Sequence, residues 1–433
     1  MDNRLISIKI PDGFRAIRCA DIAINGITVV AGINGCGKST LSKLLYFTYK
    51  DSIQYETLFL SSIHNRLKPY YDVLNLLFSQ LRALNIEQPR RALHPWRTLR
   101  NLSKADEYLK DVAELCRSFI GKETAAQEEE STLMTDRIWK ILWSALGDED
   151  NHPDLRESLR LLQQQMSKII KDAQLASLKR PKHVLTERLN SQLKGEVPQS
   201  VSVSEYGDAF IGGQTDSVPI PHYIQRVAYI DTPMILGIDT LFEGPDYWDD
   251  LNRILKSSPV TAKNDIVRDT LKNDILHGEA VYDEDALDDA IKFRREDGQV
   301  FDLLDCATGI KSFSILQLML KNGFLQKDTL LIIDEPEAHL HPQWIVEYAR
   351  LILLLNKHVG VKFFIASHST DMVGALKEIA PTVGVDALDF YVAEQTDNIQ
   401  YNYKSLGTDV DPIFASFNKS YERLDLYASA ERE

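Results

Sequence analysis

Long apolar runs are missing from this chain of 433 residues. None reaches the roughly 18 residues that a bilayer-crossing helix needs, so no transmembrane helix is expected. The opening MDNRLISIKI lacks the basic-then-apolar layout of a secretory leader. Cysteine is scarce: four residues, Cys19, Cys36, Cys116 and Cys306, stand far apart with no CxxC pair. That spacing excludes a zinc-finger-type site and points to a reducing, cytoplasmic setting. Internal repeats and low-complexity tracts are absent. Positive charge is in deficit, with 49 Lys and Arg against 63 Asp and Glu and a net charge of −14. Nucleic-acid binding through phosphate contacts needs clustered cations, so a simple nucleic-acid binder is disfavoured. The arginines at 90, 91, 97 and 100 read as a solvated helix face.

Against these absences stands GINGCGKST, residues 32–40. The apolar, β-branched run Ile27 to Ala31 before it suits a buried parallel strand, and LSKLLYF after it suits a helix. Residues 32–39 match G-x-x-x-x-G-K-[ST]. The glycines permit positive φ and let backbone N–H groups close around an anion. The helix that follows points its positive end at the same spot. Asn34, Gly35, Cys36, Gly37, Lys38, Ser39 and Thr40 are therefore the expected nucleotide-binding residues. Lys38 would reach the β- and γ-phosphates and Ser39 would offer a hydroxyl to Mg²⁺. ATP and Mg²⁺ are the expected ligands.

The organisation follows from period and punctuation. Residues 4–30 read as short strands with turns at Pro11-Asp12-Gly13 and Asn25-Gly26. From about 41 to 195 the pattern is helical, broken near Pro89, Pro95, Pro153 and Pro181. One example is an apolar stripe of Leu155, Leu159, Leu162, Met166 and Ile169 that suits intramolecular packing. Acidic stretches at 128–130 and 148–150 read as exposed loops. Strand signals return from about 200, and the last third alternates strand and helix as an α/β core does. The expected division is 1–50 and 201–400 as the two parts of one head, 51–200 as a helical insertion, and 401–433 as a strand-and-helix tail.

A second element is TLLIIDEPEAHLHPQW, residues 329–344. Leu330 to Ile333 is a buried-strand run ending in adjacent carboxylates. Asp334, at the end of a strand expected to neighbour the phosphate-loop strand, is placed to hold Mg²⁺ with Ser39. Glu335 is placed to orient or deprotonate the attacking water. The third element is KFFIASHSTDM, residues 362–372, where His368 follows another apolar strand. A histidine there can bond the γ-phosphate and the water. Glu335 and His368 are the expected catalytic pair.

Loop, DEPEAHLHP and ASHS, in this order, resemble the ABC-type ATPase heads of the OLD, Rad50 and RecF group. The resemblance covers roughly residues 1–50 and 225–400. It implies an α/β fold, an ABC-type P-loop ATPase head with a mixed β-sheet core, flanking helices and a large helical insertion after the Walker A helix. It also implies a homodimer or higher homo-oligomer in which two heads sandwich ATP and each completes the other's site with a signature motif. The matching stretch is Cys306-Ala307-Thr308-Gly309-Ile310-Lys311-Ser312-Phe313. Ala307 stands where the family carries a phosphate-binding serine, so Thr308, Gly309 and Lys311 would have to serve with it in trans. That departure implies slow hydrolysis, a switch more than a motor. The glutamine loop is indistinct, because YIDTP at 229–233 contains no Gln.

Among such heads, a transporter subunit is disfavoured by the helical insertion and the altered signature. An OLD-type nuclease would add a Toprim domain. Glu394, Asp409 and Asp411 imitate its acids, but 15 residues (409 minus 394) are too few for the βαβ crossover that brings such acids together. The string ATGIKSF, the insertion and the lack of a nuclease domain resemble the PtuA-type ATPases of Septu anti-phage systems. This implies an HNH endonuclease partner of the PtuB type, with nucleic acid reached through the complex. An ATPase of the PARIS type restraining a Toprim effector, and a RecF- or Rad50-like repair ATPase, are the alternatives.

Overall fold

A computed structural model describes residues 4–83, 102–127, 136–147, 154–231, 246–260, 265–282, 290–338, 340–396 and 399–417. The arginines at 90, 91, 97 and 100, the acidic stretches at 128–130 and 148–150, Pro89, Pro95, Pro153 and the C-terminal helix beyond 417 lie outside these residues. The chain folds as two compact units, Met1–Ile53 with Thr186–Glu433, and Gln54–Leu185.

The first unit is built on a ten-stranded mixed sheet. Its N-terminal strands are β1 (Ile6–Ile10), β2 (Ile17–Ile24) and β3 (Ile27–Ala31). Helix α1 (Lys38–Ile53) leaves the phosphate loop. The chain returns from the second unit to form β4 (Ser202–Glu205), β5 (Asp208–Ile211) and β6 (Arg226–Ile230). Further on come β7 (Gly278–Tyr282), β8 (Ile291–Arg295) and β9 (Val300–Asp302), a separate antiparallel sheet. The last strands are β10 (Thr329–Asp334), β11 (Lys362–Ser367), β12 (Leu388–Gln395) and β13 (Tyr401–Gly407). The main sheet runs β5-β4-β1-β2-β13-β12-β3-β11-β10-β6.

The two ends of that sheet follow different rules. β12, β3, β11, β10 and β6 are mutually parallel. β3 is buried at all five positions and β10 at all six, which is why both read as unbroken apolar runs. β1, β2, β4 and β5 pair antiparallel. There β2 buries Ala20, Ile22 and Ile24 in alternation with exposed Asp21 and half-buried Ala23. Strand β13 joins the two halves, antiparallel to β12 and parallel to β2.

The second unit is helical: α2 (Tyr55–Ala83), α3 (Ala105–Gln127), α4 (Asp136–Leu146) and α5 (Leu155–Ser177). The stripe read from the sequence is present in α5, where Leu159, Leu162, Met166, Ile169, Ile170 and Ala173 are buried. Its start is fixed by Asp154, whose carboxylate accepts the Glu157 N–H at 2.8 Å. Helix α6 (Lys182–Leu193) leads back to the first unit, which adds α7 (Asp246–Leu255), α8 (Asp265–Asp269), α9 (Thr308–Lys321), α10 (Pro342–Leu354) and α11 (Thr370–Val383). No helix among the described residues is long and apolar enough to cross a membrane.

Candidate nucleotide site

The strand order corrects one expectation. Asp334 does not end a strand beside the phosphate-loop strand: β11, which ends before His368, lies between β3 and β10. The carboxylate still comes near the loop because α1 leaves β3 and packs across β11, β10 and β6. This carries Ser39 and Ser42, three residues apart on one helical face, to the end of β10. The sheet therefore offers three strand ends side by side, carrying the loop, the histidine and the carboxylates.

The loop is held by its own lysine. Lys38 is buried, and its Nζ donates to the carbonyls of Gly32 at 2.8 Å and Ile33 at 3.1 Å. Gly37 has φ +100°, and a Cβ there would stand 2.6 Å from Ile17 Cγ1, so only glycine fits. Asn34, Gly35 and Ser39 are exposed, whereas the Cys36 side chain is buried. Cys36 Sγ lies 3.7 Å from the Tyr403 hydroxyl, which donates to the Cys36 carbonyl at 3.2 Å. The loop's inner face is thus tied to β13. Thr40 N–H already bonds the Gly37 carbonyl at 3.0 Å, the first turn of α1.

Asp334 is buried. One oxygen accepts the Tyr229 hydroxyl at 2.7 Å, and the other accepts the Ser42 hydroxyl. Burial raises its carboxyl pKa, opposed by hydroxyl donation from Ser42, Tyr229 and Ser39. An all-oxygen set of hydroxyl and carboxylate is of the kind that could hold a hard cation such as Mg²⁺.

Glu335 differs from its neighbour. Its φ of +49° is left-handed, uncommon outside glycine and a local strain of about 1–2 kcal/mol. The turn is held by its N–H to the Ala366 carbonyl and by Ala338 N–H to its own carbonyl, both at 2.8 Å. Its side chain stays 41% exposed, with Oε1 3.4 Å from His368 Nδ1. Sequence reasoning passed over three residues here: Ser42, Tyr229 and Glu337. Glu337 stands two places after Glu335 in the quoted string, and it is buried with Oε1 3.3 Å from the same Nδ1. Tyr229 stands in the sequence only as the first residue of YIDTP, where nothing marks its hydroxyl. His339 of the string lies outside the described residues, while His341 caps α10 and Pro342 takes its first turn.

The signature stretch is not brought to the loop of its own chain. Ala307 occupies the cap position of α9 without a side-chain bond, and Lys311 N–H bonds its carbonyl at 3.2 Å. Gly309 packs closely inside its own chain: a Cβ there would fall 2.5 Å from Trp344 Cε3. Phe313 stacks edge-on with Trp344 and Tyr348, at 5.4 and 5.2 Å. At the glutamine-loop position, Asp231 accepts from the Tyr247 hydroxyl at 2.9 Å and the Trp248 indole at 3.0 Å, both from α7. Thr232 and Pro233 lie outside the described residues. Glu394 is exposed and pairs with Lys404 at 3.6 Å, while Asp409 accepts the Asp411 N–H at 3.1 Å. Among the described residues no three metal-ligating side chains cluster.

A family model described as an AAA ATPase domain matches residues 4–373. The uncharacterized protein MJECL11 of Methanocaldococcus jannaschii is 29% identical over 94 residues, 21% of this chain and 77% of that one. A Smc head domain from Pyrococcus furiosus, with an extended coiled coil and bound to the C-terminal domain of ScpA, aligns at 12% identity. That alignment covers 98% of each chain at a TM-score of 0.34. An SMC head domain from Thermotoga maritima aligns over 49% of this chain and 65% of that one, at 14% identity and a TM-score of 0.28. With its phosphate loop, strand-end carboxylates and 370 matched positions (373 minus 4, plus 1), this chain belongs to the AAA ATPase domain family.

Proposed function

We propose that the chain is an ABC-type ATPase that binds ATP with Mg²⁺ at this site, hydrolyses it slowly, and uses the bound state to regulate a partner nuclease in anti-phage defence. The observation that carries the reading is the meeting of Ser39, Asp334, Glu335 and His368 at the ends of β3, β10 and β11. The loop N–H groups and the α1 N-terminus receive the phosphates. Lys38 turns from the carbonyls of Gly32 and Ile33 to the terminal phosphates, trading neutral acceptors for an anion. Mg²⁺, when bound by Ser39 and Asp334, supplies neutralisation of phosphate charge. Glu335 orients the attacking water, and its half-exposed carboxylate beside His368 suits that work better than the buried Asp334 does.

The signature residues Ala307, Thr308, Gly309 and Lys311 act in this reading on the nucleotide of a second copy. The absence of a serine at 307 supports slow turnover. The effector is an HNH endonuclease of the PtuB type, supported by the resemblance of ATGIKSF and by the helical unit that follows α1. Co-expression of the chain with such a nuclease tests this directly. Co-purification is expected, with DNA cleavage that changes when Lys38→Ala or Glu335→Gln replaces the wild type. A nuclease that neither associates nor responds to these variants would remove the defence reading and leave the ATPase.

A further inference from the structure

Glu337 has no part in the scheme above, yet it is among the most enclosed carboxylates near the site. It is 7% exposed. Its Oε1 accepts the Ser367 hydroxyl at 2.9 Å and the His368 backbone N–H at 2.7 Å, and stands 3.3 Å from His368 Nδ1. Its other oxygen is buried with no hydrogen-bond partner among the described atoms. Burying a carboxylate is unfavourable unless its bonds replace the lost water, so this placement needs a reason. Ser367 Oγ in turn accepts the Ser369 N–H at 3.1 Å, and Ser369 caps α11 through the Met372 N–H at 3.3 Å. Glu337 is therefore the root of a chain of bonds that fixes the whole turn carrying the histidine.

Two carboxylate oxygens stand near His368 Nδ1, since Glu335 Oε1 lies 3.4 Å from the same nitrogen. Glu335 has to leave this contact to address a water. Glu337 is enclosed and pinned by two firm bonds, so it stays. We propose that Glu337 is the positioning residue for His368: it sets the turn, takes the hydrogen on Nδ1, and leaves Nε2 facing the nucleotide side. The inference rests on the ATP-site reading for its kinetic consequence, and on this geometry alone for the ring. Outer-shell acceptors of this kind, fixing one tautomer through one ring nitrogen, are worth roughly 10- to 100-fold in activity at metal sites.

Long-range ¹H–¹⁵N spectra of histidine-labelled, nucleotide-free protein, taken where the rings are neutral, read the tautomer directly. His368 is identified among the 10 histidines with His368→Gln. Wild type should show the Nδ1–H form. Glu337→Ala should shift the ring toward Nε2–H and lower kcat about 10- to 100-fold with KM within about twofold. Glu337→Gln keeps an acceptor and should restore the tautomer and most of kcat. An Nε2–H ring in the wild type overturns the proposal without any variant, which covers the case that Glu337→Ala does not fold. A ring unchanged in Glu337→Ala, or a parallel fall of kcat/KM and thermal stability with no rescue by Gln, also overturns it. If the wild type hydrolyses no ATP, the ATPase reading falls, while the tautomer still decides the role of Glu337.

Discussion

The strand-end cluster and the signature turn are two halves of one expected machine, and they are built on opposite principles. At the strand ends, polar groups are tied to one another: Lys38 to its loop, Asp334 to Ser42 and Tyr229, Glu337 to Ser367 and His368. At the signature turn the defining contact is apolar, Gly309 lying flat on Trp344 with Phe313 beside it. The first half is joined by bonds within one chain. The second half is anchored by packing, and its Ser312 hydroxyl donates to the Thr308 carbonyl at 3.1 Å. A motif match can therefore report chemistry in one place and support in the other.

The sharpest way to separate the halves is by rate. Glu335→Gln keeps the shape but removes the carboxylate proposed to act on the water, so ATP turnover should fall about 10²–10⁴-fold while nucleotide affinity is kept. Single-turnover hydrolysis beside equilibrium binding measures both. If turnover survives, the exposed carboxylate is not the water's partner.

Stability separates them next. Asp51, on α1, is buried, with Arg188 at 3.9 Å, and burial lifts its carboxyl pKa to about 6 from 3.8. The folded state then holds a proton more tightly than the unfolded chain. Stability tied to this group is present below about pH 4 and is lost as pH rises to about 6. The loss is on the order of 2–3 kcal/mol by linkage. Asp51→Asn should flatten that slope and raise the melting temperature at pH 7, as calorimetry across pH 4–7 would register. An unchanged slope would remove the group from the account.

Gly309→Ala tests the signature turn by itself. A methyl group 2.5 Å from Trp344 Cε3 has no room. Overpacking of this kind costs about 1–3 kcal/mol. Chemical denaturation should show that loss, with nucleotide affinity at the loop unchanged. A variant as stable as wild type would mean that the glycine is kept for a partner's phosphate instead of for Trp344.

The parts legible in the sequence were those with local causes. Ile27 to Ala31 and Leu330 to Ile333 read as buried strands because parallel strands are apolar on both faces, and so they are. The loop read correctly as strand, turn and helix because its glycines and Lys38 sit at fixed offsets. Strand order was not local, and β11 between β3 and β10 could not be read from spacing. Tyr229 and Ser42 were hidden for the same reason, since each looks ordinary in its own element and matters only where β6, β10 and α1 converge. Glu337 was in view but undistinguished, because burial separates it from Glu335 and burial is a tertiary property.

In the proposed reading the strand-end cluster binds ATP and a second copy completes the signature turn. Sedimentation of the Glu335→Gln variant with ATP and Mg²⁺ tests both parts at once. With ATP the mass should be near twice that of the 49.2 kDa chain, or a higher multiple. The species should return to a smaller one with ADP, and Lys38→Ala introduced into the same variant should abolish the change. A mass independent of nucleotide in the variant would contradict it.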